Sequence, residues 1–226
     1  VSYDYGITIE DAKLNILPQS KEQLEKQVPR GRTGFMYTNS GALVTEDDDL
    51  SQIHIEDIAH SLSMQCRFGG HCSRFYSVAE HSVFVSEIVQ PENALEGLLH
   101  DSAEGYVTDL PTPIKKMCPD FEAIEQRFYS KICKRFGIPE EMTLDVKVAD
   151  RIALYNEARY LTKIPLHLLC DNNFEHSSLS RPFSPKCLPP EQAYELFMKR
   201  FKEIHVKPAV EVVHFGNQSY YQYKGL

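Results

Sequence analysis

Through the middle of the chain, apolar residues recur at helical and not at strand spacing. Ile55, Ile58, Ala59 and Leu62 form one stripe and Val78, His81, Val85 and Ile88 a second, since residues three and four apart share one face of a helix. Further helices are predicted at Glu92 to Gly105, Phe121 to Phe136, Met142 to Leu161 and, after the Pro189-Pro190 start signal, Glu191 to Ile204, giving about six in all. Breaks are expected at Leu110-Pro-Thr-Pro113, at Gly137 to Pro139 and over the Ser-, Asn- and Pro-bearing loop from Cys170 to Pro190. From Thr33 to Thr45, β-forming residues flank Asn39-Ser40-Gly41, which predicts a short hairpin. The tail after His205, with Val210-Glu-Val-Val213 and a Tyr-rich end, fits either a strand or a partner contact. The expected fold class is therefore all-α with a small N-terminal β-hairpin. A single domain is expected over residues 1–226, its core at about 55–205 between extensions 1–50 and 206–226.

Composition narrows the class of protein more than its chemistry. With 42% hydrophobic and 25% charged residues over 226 positions, the chain is long and apolar enough for a substantial core. A formal net charge of -8 opposes binding to a nucleic-acid polymer, which calls for Lys/Arg stripes to displace counterions. A small phosphorylated ligand needs only a local cationic pocket. No apolar run is long enough to span a membrane and Val1 to Gln27 is polar, so a cytoplasmic protein with no membrane partner is expected. The six cysteines are scattered without a Cys-x-x-Cys pair, which predicts reduced thiols. Cys66, His71 and Cys72 match no standard zinc spacing and are read as structural, and the acidic run Glu46 to Asp49 lacks the ligand alternation of a calcium loop.

Three segments put polar, metal-competent groups inside helical apolar patterns: AEHS (Ala79 to Ser82), LLHDSAEGYVTDLPTPIKK (Leu98 to Lys116) and VADRIALYNEA (Val148 to Ala158). Burying an imidazole or carboxylate costs several kcal/mol without a compensating partner, and a shared metal ion is one such partner. His81, His100, Asp101 and Asp150 make a two-imidazole, two-carboxylate set suited to a borderline or hard divalent cation: Co2+, Mn2+, Mg2+ or Zn2+. Glu104, one turn beyond the His100-Asp101 pair, stands where a general acid or base would be placed. Asp109, at the start of the Asp-Leu-Pro-Thr-Pro turn, is placed to order an attacking water or hold a sugar hydroxyl, and Lys115 and Lys116 follow where a cation meets phosphate oxygens.

The order His81, His100-Asp101, Asp150 resembles the His…His-Asp…Asp signature of the HD phosphohydrolase superfamily. The string HDSAEGYVTDLPTPIKK is similar to the bacterial 5'-deoxynucleotidase branch and to phage-type deoxynucleoside triphosphohydrolases. The resemblance spans roughly residues 55–160 and implies an HD-domain helical bundle. It implies a divalent metal on the four residues above and a catalytic role for Glu104. It also implies an Arg-aromatic pair upstream of the first ligand, here Arg67-Phe68, with Arg67 on phosphate and Phe68 against the sugar. The deoxynucleotidases usually carry Trp at that second position, so Phe68 departs from the pattern; Arg74 competes with Arg67 as the phosphate ligand. Helical relatives often form homodimers or higher oligomers.

The expected activity is hydrolysis of a (deoxy)nucleoside 5'-monophosphate to nucleoside and phosphate. The alternatives are release of triphosphate from a deoxynucleoside triphosphate and a non-catalytic nucleotide sensor. The oxygenase branch of the same superfamily needs a second metal, yet between His81 and Asp150 the only histidine is His100.

Overall fold

The computed structural model describes residues 35–45, 50–169, 183–205, 210–215 and 218–223, the last two ranges as backbone only. The N-terminal stretch 1–34, the acidic run Glu46 to Asp49 and the larger part of the loop from Cys170 to Pro190 lie outside the described residues.

Helices dominate. In chain order they are α1 (Ile55–Met64), α2 (Val78–Ile88), α3 (Ala94–Leu99), the short α4 (Glu104–Val107) and α5 (Thr112–Lys115), α6 (Pro119–Phe136), α7 (Leu144–Leu161) and α8 (Pro190–His205). Ser77 starts α2 by accepting the Glu80 amide on its hydroxyl, and Thr143 starts α7 by accepting that of Val146. Gly137, in the left-handed conformation, ends α6.

Two hairpins flank the helices. Strands β1 (Phe35–Tyr37) and β2 (Leu43–Thr45) pair antiparallel, with Met36 opposite Val44. The Asn39-Ser40-Gly41 segment makes the turn, where Gly41 takes a positive φ of 82°. Ser40 ties this hairpin to α1, because its amide and hydroxyl both donate to the Asp57 carboxylate, at 2.8 and 2.6 Å. The C-terminal tail forms strands: β3 (Val210–Phe215) pairs antiparallel with β4 (Gln218–Tyr223). The chain therefore carries a second hairpin beyond the one expected.

The predicted helix from Glu92 to Gly105 needs correction. A single 3-10 turn, Pro91–Asn93, leads into α3, which ends at Leu99. From there to α4 the amides of Ser102, Glu104, Gly105 and Tyr106 bond three residues back, to Leu99, Asp101, Ser102 and Ala103. Tightened turns of this kind keep a helical direction but break the 3.6-residue period.

The core gathers Ile58, Leu62, Val78, Leu98, Leu99, Ile132 and Phe197, with α8 packed against α1, α2 and α3. Helices α2 and α3 approach closely because Gly97 has no side chain: a Cβ there would stand 3.2 Å from both the Ser86 Cα and Val89 Cγ2. Gly97→Ala is expected to destabilise the protein by about 1–3 kcal/mol through overpacking against backbone, measurable as a lower midpoint in urea unfolding. An unchanged midpoint would mean that the two helices are free to part. Buried Glu96 accepts the Thr143 amide at 2.6 Å, while Asp145 accepts the Gln90 amide and the Asn93 side chain. These bonds hold the N-terminus of α7 against the α2–α3 junction. Among the described residues no helix is long and apolar enough to cross a membrane.

Candidate metal centre

Helices α2 and α7 and the turn after α3 bring His81, His100, Asp101 and Asp150 together. His81 Nε2 lies 3.2 Å from His100 Nε2, 3.3 Å from Asp101 Oδ2 and 3.2 Å from Asp150 Oδ1. His100 Nε2 is 3.2 Å from Asp101 Oδ2 and 3.8 Å from Asp150 Oδ1. Donors held about 2.1 Å from one ion stand about 3.0 Å apart at octahedral and about 3.4 Å apart at tetrahedral angles. The observed spacings fall around those values, and His81, His100 and Asp150 form a cluster able to hold a metal ion.

The ligand tautomers are fixed from behind. His100 Nδ1 donates to the Gly97 carbonyl at 2.8 Å and His81 Nδ1 donates to Glu157 Oε1 at 2.8 Å, which leaves both Nε2 atoms for the centre. Glu157 was not singled out from the sequence, although it lies seven residues after Asp150 and so on the same face of α7. It is fully buried, accepts the Tyr76 hydroxyl at 3.2 Å and pairs through Oε2 with Arg67 Nε at 3.1 Å. Arg67 also reaches Asp101 Oδ2 through Nη1 at 3.4 Å. One guanidinium thus links a carboxylate at the centre to the carboxylate behind it. The imidazoles form the floor, being 0% and 1% exposed, while the Asp150 side chain is 40% exposed on the open side.

Arg67 does not end a helix. Helix α1 stops at Met64, Cys66 makes an isolated antiparallel bridge with Ser77 just before α2, and Phe68–Gly70 form one 3-10 turn. Phe68 and Gly69 both take φ of 59°, which costs a non-glycine residue energy. Phe68 sits beside the Arg67 guanidinium, 5.6 Å from its ring centroid, and Gly69 abuts Pro111 of the Asp-Leu-Pro-Thr-Pro turn. Just before that turn Thr108, a β-branched residue, adopts φ 84°, and the next amide, that of Asp109, donates to Gln65 Oε1 at 2.8 Å. Gln65 in turn donates to the Glu104 carbonyl at 2.9 Å. Two segments with left-handed backbone therefore meet at the Gly69–Pro111 contact. Arg74 and Lys116 are exposed, and neither shares these contacts.

Glu104 lines a cavity of about 460 Å³ with His100, Asp101, Lys115, Glu125 and Tyr129. Lys115 Nζ donates to Glu125 at 2.7 Å and reaches Glu104 Oε1 at 3.4 Å; Glu104 Oε2 is buried without a hydrogen-bond partner. Burial, then the neighbouring Asp101 and Asp109 charges, hold the Glu104 carboxyl well above the usual range. Burial also raises Asp109, against the pull of Arg67.

Burial alone would lower both histidines and raise the aspartates, but the partners outweigh it. Asp101 and Asp150 push His100 up to about 10, and Glu157, Asp101 and Asp150 lift His81 well above its ordinary value against both burial and Arg67. The imidazoles hold Asp101 and Asp150 far below the usual carboxylate range. A cation entering the cluster must displace protons from the imidazoles, because only neutral imidazole is a ligand. Binding of Mn2+ or Zn2+ at pH 8, below the raised His100 value, is therefore expected to release at least one proton per ion, and affinity should climb with pH until about 10. Calorimetry in buffers of different ionisation enthalpy reads this directly; a buffer-independent heat would show the imidazoles neutral beforehand.

No protein-family model matches the chain. Over 165 residues it is 40% identical to the uncharacterized protein YfdR of Escherichia coli (strain K12), covering 71% of this chain and 87% of that protein. Over 111 residues it is 34% identical to the uncharacterized protein RCAP_rcc00048 of Rhodobacter capsulatus, covering 45% of this chain and 57% of that protein. At the first of these identities and coverages the chain belongs to the same family as YfdR.

Proposed function

We propose that the protein is an HD-domain metal-dependent phosphohydrolase that cleaves the phosphate of a (deoxy)nucleoside 5'-monophosphate. The observation that carries this reading is the approach of the His81 and His100 Nε2 atoms to each other and to the Asp101 and Asp150 carboxylates at 3.2–3.8 Å, beside a cavity lined by a buried glutamate whose carboxyl is held well above its usual range. His81, His100, Asp101 and Asp150 would hold the ion, of the Co2+, Mn2+, Mg2+ or Zn2+ class. Such an ion polarises a phosphoryl oxygen and acidifies a water.

The chain's own groups supply the rest. Arg67, held between Asp101 and Glu157, offers its outer guanidinium nitrogens to phosphate oxygens, and Phe68 beside it packs against the sugar. Glu104, whose carboxyl is held well above its usual range by burial and by the Asp101 and Asp109 charges, would give a proton to the departing 5' oxygen, which would otherwise leave as a poor alkoxide. Asp109 orients the sugar or the attacking water. Lys115 exchanges its Glu104 contact for a phosphate oxygen once substrate is bound.

Glu125, Glu140 and Glu141 line the same cavity against Lys115. That acidic wall favours a single phosphate over a triphosphate, whose larger charge would meet it at close range. The purified protein, loaded with Mn2+ or Co2+, is to be assayed against nucleoside 5'-monophosphates and deoxynucleoside triphosphates, with phosphate and triphosphate measured separately. Phosphate from monophosphates supports the reading. Triphosphate release moves the activity to the triphosphohydrolase alternative, and no turnover of any compound leaves a nucleotide sensor.

A further inference from the structure

The loop that presents Arg67 is bracketed by two cysteines whose sulfurs nearly touch. Cys66 Sγ and Cys72 Sγ are 3.4 Å apart, both thiols free and both partly exposed. Five residues separate them in sequence: Arg67, the positive-φ Phe68, Gly69 and Gly70, and exposed His71. A bonded pair of sulfurs stands about 2.05 Å apart, so closure requires an approach of roughly 1.4 Å.

The two ends of the loop differ in freedom. At the Cys66 end the Arg67 amide donates to the Tyr76 carbonyl at 2.9 Å and the Val78 amide to the Gln65 carbonyl at 3.1 Å, so Cys66 belongs to a short antiparallel ladder with Ser77. At the other end, Ser73 is tied by its amide to the Leu161 carbonyl at 2.7 Å, while Gly69, Gly70 and His71 between are exposed. The small residues with left-handed backbone in this stretch give Cys72 the play that the approach needs. The Cys72 thiol donates to the Arg74 carbonyl at 2.9 Å, which turns its sulfur lone pairs toward Cys66.

We infer that Cys66 and Cys72 form a reversible disulfide that staples the Arg67 loop closed. The Cys66 thiolate attacks one sulfur of a low-molecular-weight disulfide such as oxidised glutathione, expelling one glutathione thiolate. Cys72, losing its proton to solvent, then attacks the Cys66 sulfur of the mixed disulfide and expels the second. Two protein thiols are oxidised and one glutathione disulfide is reduced to two thiols, so the exchange balances. Burial and the adjoining Cys66 raise the Cys72 thiol to about 11, so Cys72 is not the thiol that attacks first. The anchored Cys66 end keeps Arg67 in place, so the staple limits the loop's motion and leaves the Arg67 pairs with Asp101 and Glu157 intact.

The test uses the full chain incubated with oxidised glutathione, followed by intact mass and by peptide mapping without reduction. The expected product lacks two hydrogens, maps to Cys66–Cys72 and reverts with a thiol reductant. Its Tm is raised by about 4–8 °C, the size given by closing so short a loop in the unfolded chain. Cys66→Ser and Cys72→Ser abolish the mass loss and the Tm shift, whereas Cys187→Ser, which alters the third thiol on that side of the protein, leaves both. A stable glutathione adduct without closure, a bridge mapped to Cys187, or no mass change overturns the inference. None of these outcomes depends on which nucleotide, if any, the protein hydrolyses.

Discussion

Replacing Asp101 with alanine is expected to abolish stoichiometric metal binding and to lower phosphohydrolase turnover by at least about a thousandfold, on the order of 4 kcal/mol in the barrier. The residue acts on three partners at once. Its Oδ2 stands 3.2 Å from His100 Nε2, 3.3 Å from His81 Nε2 and 3.4 Å from Arg67 Nη1. Its loss removes one ligand and leaves two buried imidazoles and a guanidinium with less negative charge around them. Asp101→Asn, which keeps the volume but not the charge, separates the electrostatic part from packing. Metal content by elemental analysis and kcat/KM on the best nucleotide are the two readouts, with circular dichroism confirming a folded variant. A folded Asp101→Ala protein with its full metal load and turnover would remove the proposed centre.

The second large effect is expected at Glu157, which touches no part of the cavity. Glu157→Gln should weaken metal affinity by about 10–100-fold, because the carboxylate that orients His81 and raises its basicity is gone. Glu157→Ala should in addition cost about 3–5 kcal/mol of stability, since it strands the buried Arg67 charge and the His81 N–H together. The contrast between the two variants is the informative measurement: metal titration reports the first effect and urea unfolding of the metal-free protein the second. Equal stability of both variants would mean that Arg67 finds another anion, for which Asp101 is the nearest candidate.

How far the sequence reached follows from what periodicity can encode. The stripes at Ile55 to Leu62 and Val78 to Ile88 match α1 and α2 because each buries one face, and Pro190 begins α8 as the start signal indicated. The predicted helix from Glu92 to Gly105 failed where turns bonded three residues back replace the helical ladder, and that change leaves no mark in an apolar pattern. It is also where His100 and Asp101 are brought to the same point, which a regular helix with neighbours about 100° apart opposes. The course of the Arg67 loop is set by the Cys66–Ser77 bridge, a pairing between separate segments that leaves no periodic mark in the sequence. Glu157 had a visible signal, a carboxylate two turns beyond Asp150 on a buried stripe, but its meaning depended on His81, seventy-six residues earlier.

Helix α7 carries Asp150 at the centre and Glu157 behind it, on one rigid element bolted at its start by Glu96 and Asp145. The geometry is therefore graduated like a ruler. An insertion of one residue between positions 150 and 157 would rotate everything beyond it by about 100° and advance it by about 1.5 Å, so Asp150 and Glu157 would no longer share a face. The same insertion between Gly137 and Glu141, upstream of both bolts, leaves the register of Asp150 and Glu157 unchanged. Length variation among homologous sequences should accordingly collect before Thr143 and be scarce after it.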